Sequence, residues 1–162
     1  MRFDNQVLIR RPVSEVFAFV ADFTHMPLWN YYIEETAQES SGRVGVGTRY
    51  AQRRKTDTQQ LQITDYEPDR RVAIRLLRPS LPLTIRFTFA ETPEGTHLTD
   101  TWELWPKAPL PGVLTRLATS RVQAAVAENL MKLKALLERG EAVLQDGRVV
   151  RHTPGQAYTA RE

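Results

Sequence analysis

GVLTRLATSRVQAAVAENLMKLKALLER, residues Gly112–Arg139, places Leu114, Ala118, Val122, Val126, Leu130, Leu133 and Leu137 at steps of four, four, four, four, three and four. That spacing draws one apolar stripe down a helix, because residues three and four apart share a face. Arg116, Arg121, Glu128, Lys132, Lys134 and Glu138 fall elsewhere on the wheel. Pro109 and Pro111 stand just before the helix, where a missing N–H is tolerated. Gly140 is a suitable stop, and Arg139 suits the negative end of the helix dipole. At 1.5 Å per residue the helix is roughly 40 Å long. A stripe of that length needs a broad apolar partner.

The upstream chain supplies one in alternating strands. Residues 2–10 alternate around Phe3, Asn5, Val7 and Ile9, which predicts a first strand. Pro12 starts a helix through Val13, Val16, Phe17 and Val20 to about Asp22, and Thr24 is the expected cap of a second, shorter turn containing Met26, Leu28 and Trp29. Residues 31–39 are a weakly patterned strand; 48–56 and 58–67 read as a hairpin around Asp57; 71–77, 83–89 and 96–105 complete the series. Leu83, Ile85, Phe87 and Phe89 give the clearest alternation. Short connections imply antiparallel neighbours, and strands segregated from helices imply an α+β fold with about seven strands. Residues 1–140 are the expected domain, and 141–162 a flexible tail whose pieces Ala142–Leu144 and Val149–Val150 dock locally.

Composition narrows the class. The 162 residues suit one domain, with 41% hydrophobic and 25% charged residues. With no cysteine, disulfides, thiolate catalysis and Cys metal sites are excluded. The first residues lack the apolar core of a signal peptide, and no apolar run is long enough to span a bilayer, so a cytoplasmic protein without stable membrane insertion is expected. The net charge is +3, and alternation splits Arg53-Arg54-Lys55 and Arg70-Arg71 across two faces, so no nucleic-acid partner is expected. His25, His97 and His152 are far apart, without metal-ligand spacing, so no metal is expected. Gly45-Val46-Gly47-Thr48 lacks a GxGxxG continuation and a following helix, and no GxSxG elbow occurs. No cofactor is expected.

Several motifs together resemble the START-like (SRPBCC) superfamily, including polyketide cyclase/dehydrase-type proteins. They are Val7–Phe17 (strand, then Pro-x-x-x-Val-aromatic), Ala21–Trp29 (a helix–helix corner), Gly45–Tyr50 (a glycine turn into a strand) and Ile63–Pro68 (a strand end). The match covers roughly residues 3–138. The resemblance implies a helix-grip fold: a curved antiparallel sheet wrapped around the long C-terminal helix, with two short helices after the first strand and a tunnel between sheet and helix. It implies a small hydrophobic or lipid-like ligand in that tunnel, held by a monomer or homodimer. It brings no universal catalytic residue to this chain.

Parity suggests the inner face. Leu61, Ile63, Val72, Ile74, Leu76, Leu83, Ile85, Phe87, Phe89, Leu98, Trp102 and Leu104 should point toward the helix. The candidate ligand contacts are Trp29, Tyr31, Tyr50, Arg54, Ile74, Phe87, Trp102, Leu114, Ala118 and Val122. Each aromatic has an alternative as a core plug. Asp100, between Leu98 and Trp102, and His25, at the helix corner, are the candidate acid/base groups; Asp100 is otherwise a strand-end carboxylate reaching solvent. Two readings stay open: a carrier of a hydrophobic ligand, or a polyketide cyclase/aromatase using the same cavity. A third, delivery at a membrane surface, needs an apolar rim near Leu81 and Leu110.

Overall fold

A computed structural model describes residues 1–78, 82–104 and 112–153, with backbone only for 78 and 112–117. The elements follow in the order β1 (Arg2–Ile9), α1 (Val13–Ala21), a 3₁₀ turn (Phe23–Leu28), β2 (Ile33–Gln38), β3 (Arg49–Arg54), β4 (Thr58–Glu67), β5 (Arg71–Arg78), β6 (Leu83–Thr92), β7 (Gly95–Leu104), α2 (Gly112–Arg139), β8 (Glu141–Val143) and β9 (Val149–Arg151). Seven strands form one antiparallel sheet in the order β1-β7-β6-β5-β4-β3-β2. This is the α+β helix-grip arrangement.

Register slips between Ile33 and Glu35, Gln60 and Leu61, and Ile63 and Asp65 mark bulges on the β2–β5 side. Bulges bend strands, and here they help the sheet curl toward α2. The helix itself is fastened along β1. Arg10 N–H donates to Glu138 Oε1 at 2.8 Å, Arg11 Nε donates to the Leu137 carbonyl at 2.9 Å, and Asn5 Nδ2 donates to the Gln123 carbonyl at 3.3 Å. Lys134 reaches the Leu8 carbonyl and the Glu138 carboxylate.

Two local expectations change. The cap of the 3₁₀ turn is Asp22, not Thr24: its Oδ1 accepts from both the amide and the hydroxyl of Thr24, and a carboxylate is the stronger acceptor. Residues 141–151 do not trail away but pair as the β8–β9 hairpin. Ala142, Leu144 and Val150 are buried, so the small apolar pieces supply enough contact to seat it below α2. Residues 154–162 lie outside the described residues. Gly95 closes the β6–β7 turn at φ +136, where a Cβ would stand 2.3 Å from the Ile9 carbonyl oxygen.

Candidate functional site

The apolar stripe of α2 is used unevenly. Leu130, Leu133, Leu136 and Leu137 are sealed in the core with α1 and the sheet, whereas Ala118 is exposed and Val122 is 38% exposed. Where the helix leaves the sheet, a cavity of about 510 Å³ opens. Its floor is Leu61 of β4, Ile74 and Leu76 of β5, Leu83 and Ile85 of β6, Trp102 and Leu104 of β7, and Phe3 of β1. Its roof is Arg121, Val122, Ala125, Val126 and Asn129. Period-two alternation explains the floor: inward side chains of neighbouring strands form one apolar surface. The volume lies within the range of small-molecule sites.

One end is polar. Gln52 and Gln59 face each other across β3 and β4, inside, on the parity of Tyr50 and Leu61. Gln52 is 2% exposed; its amide nitrogen lies 3.1 Å from Thr36 Oγ1, and its oxygen accepts from Gln59 Nε2 at 2.5 Å. The Gln59 carbonyl oxygen has no hydrogen-bond partner among the described residues. Arg54, Lys55 and Thr56 line the same end. Arg54 holds Asp57 through two bonds of 2.6 Å, which keep that carboxyl below its ordinary range. Lys55 sits 3.4 Å over the Tyr31 ring.

Asp100 is buried, at 2% exposed, rather than at a wet strand end. Burial pushes its carboxyl up to about 7, opposed by the hydrogen bond from Trp102 and reinforced by the Asp4 charge. Its Oδ1 has no partner among the described residues. Trp102, which lines the cavity and stacks on Phe3 at 5.7 Å, is bonded to its other oxygen; Asp100 itself is not among the lining residues.

Of the expected contacts, Arg54, Ile74, Trp102 and Val122 converge on the cavity. Trp29, Tyr50 and Phe87 are instead sealed in the core, where Trp29 meets Phe87 edge-on at 6.4 Å and Tyr50 meets Phe23 at 5.5 Å. Tyr50 and Phe87 have inward parity and Trp29 ends the 3₁₀ turn, but neighbouring aromatics fill the space before them. Tyr31 stands beside the polar end under Lys55 without lining it. Ala118 faces solvent, and the Leu114 side chain lies outside the described residues. His25 donates from Nδ1 to the Phe19 carbonyl at 2.9 Å and stacks on Phe19; it is not among the lining residues. Gln59, Lys55, Arg121 and Asn129 escaped the sequence reading. Gln59 was legible as a polar residue on the inward parity of Leu61; Arg121 sits beside Val122 but off the apolar stripe.

Among the described residues no cluster of three or more His, Asp or Glu is poised for a metal, and no helix is long and apolar enough to cross a membrane. Leu81 and Leu110, around which the membrane-surface reading places an apolar rim, lie outside the described residues.

A family model described as polyketide cyclase / dehydrase and lipid transport matches residues 1–138. No curated protein matches the chain. Among solved structures, a protein from Thermus thermophilus superposes with a TM-score of 0.67 at 16% identity, covering 83% of this chain and 94% of that one. A START superfamily protein from Mycobacterium smegmatis gives 0.61 at 17% identity, covering 80% and 93%. The Aha1 dimer from Colwellia psychrerythraea gives 0.61 at 19%, covering 86% and 98%. At such identities the likeness is one of fold.

Proposed function

We propose a function from one premise: the chain belongs to the polyketide cyclase/dehydrase and lipid transport family. Within that ligand-binding superfamily we read this protein as a carrier that holds a small hydrophobic or lipid-like molecule between sheet and helix. The observation that supports it is the cavity of about 510 Å³, floored by Leu, Ile, Phe and Trp side chains and opening beside the half-exposed Val122. Affinity would come from apolar area removed from water, about 25 cal/mol per Å².

The cyclase reading has less support. It requires an acid or base in contact with the ligand. Trp102 caps one oxygen of Asp100, and neither Asp100 nor His25 lines the cavity. The carrier needs no metal, cofactor or nucleic acid, and works as a monomer or a homodimer.

Native mass spectrometry of the purified protein, followed by organic extraction, tests this. A bound hydrophobic compound of defined mass, lost from an Ala125→Trp variant that fills the cavity, is the expected result. Failure of the intact protein to bind any apolar probe, with the fold confirmed by circular dichroism, overturns it.

A further inference from the structure

The cavity is chemically lopsided. Its polar groups gather at the β3–β4 end, where Gln52, Arg54, Lys55 and Gln59 stand together. Trp102 and Ile85 line the other end, on β7 and β6. β7 and β3 are four strand steps apart in the sheet, roughly 19 Å along its curve. The side-chain charges are also of one sign: Arg54, Lys55 and Arg121 line the space, and no Asp or Glu is among the described lining residues; at the β1–β7 side the Met1 ammonium is taken up by the Leu104 carbonyl at 2.8 Å.

The third cation, Arg121, lies on the flank of the helix turned toward that end. Gln123 faces β1, since its carbonyl accepts from Asn5 and its amide donates to the Asp4 carbonyl. Arg121 lies about 200° around the helix from Gln123, at 100° per residue. It therefore projects toward the flank where β2 and β3 lie. Asn129, between those two directions, fits the same orientation by bonding Asn30 at 3.1 Å, just before β2.

Nearby carboxylates only partly answer these charges. Asp57 takes the Nε–Nη2 edge of Arg54 in a two-pronged pair, leaving Nη1 outside it. Asp146 is 3.8 Å from Lys55, an open contact. Arg121 is exposed and has no ion pair among the described residues. Asp100 stands behind Trp102 at the opposite end. The unpartnered Gln59 oxygen adds an acceptor beside the cations, suited to a ligand hydroxyl or a bridging water.

Building on the carrier reading, we propose that the ligand is a single-chain anionic amphiphile. Its carboxylate or phosphate head lies between Arg121 and Lys55, beside Arg54, and its tail runs toward Ile85 and Trp102. Charge complementarity orients the molecule, and apolar burial holds it.

Displacement of the neutral probe N-phenyl-1-naphthylamine by four amphiphiles of equal chain length tests this: dodecanoate, dodecyl phosphate, dodecanol and dodecyltrimethylammonium, below their micelle concentrations. At least one anion should bind about tenfold tighter than dodecanol, with the cation weakest. The ratio of dodecanoate to dodecyl phosphate identifies the preferred head. An R121Q/K55Q variant should bring the better anion and dodecanol to within about twofold of each other. Dodecanol or the cation binding as tightly as both anions overturns the proposal while leaving the carrier intact. Displacement by none of the four overturns both.

Discussion

The indole Nε1 of Trp102 donates to Oδ2 of Asp100 over 3.0 Å, two residues back along the same strand and on the same face. The aromatic wall of the cavity is thus held by a carboxylate that the folded chain prefers to keep protonated. Folded Asp100 releases its proton near pH 7, against 3.8 in an unshifted carboxyl. The native state therefore binds more protons between those values, and stability falls as pH rises from 3.8 through about 7, then levels. Asp100→Asn keeps an acceptor for Trp102 and removes the ionisation. It should gain on the order of a few kcal/mol at about pH 8 and little at about pH 4. Urea unfolding at both pH values decides this; an unchanged pH slope in the variant would remove the role given to Asp100.

The two halves of α2 should respond differently to truncation. Leu133 is fully buried and Val122 is 38% exposed. Leu133→Ala should cost about 2–5 kcal/mol, and Val122→Ala well under about 1 kcal/mol. Equal losses in denaturant titrations would mean that the upper helix is packed as tightly as the lower.

Gln52 and Gln59 form a coupled pair. Gln59→Leu strands the buried Gln52 oxygen and should destabilise by about 1–3 kcal/mol. Replacing both with Leu removes the stranded partner, so the double variant should recover much of that loss. Strictly additive losses in the cycle would show that the 2.5 Å contact contributes no coupling.

Gly95→Ala should be among the most harmful small changes. The new Cβ would meet the Ile9 carbonyl oxygen at 2.3 Å and the Arg10 Cα at 2.8 Å, both backbone, at φ +136. Neither atom is the end of a flexible side chain, so a loss above about 2 kcal/mol is expected. A melting temperature within a degree or two of the parent would contradict this.

The architecture was open to reading because its signals are periodic. Leu83, Ile85 and Phe87 alternate, and Leu130, Leu133 and Leu137 repeat at helical steps, so strand and helix follow from local rules. The site was less open, because which inward residues touch a void depends on how far neighbouring rings extend. Phe87 and Trp102 share a parity, yet one is sealed and the other lines the space. Arg121 and Gln123 both look like solvated helix residues; only the bonds to Asp4 and Asn5 fix which way each points. The β8–β9 hairpin hid in a polar stretch because a few buried apolar side chains suffice to dock it.

The clamping of α2 at its C-terminal half has a mechanical consequence. With Leu130, Leu133, Leu136 and Leu137 buried in the core and the β8–β9 hairpin closing the base, the rod is anchored chiefly at that end, and the bonds of Gln123 to Asp4 and Asn5 are a lighter tie farther up. Deflecting its N-terminal arm disturbs none of those buried leucines. The stability of the fold then rests on the fulcrum, and the arm contributes little to it.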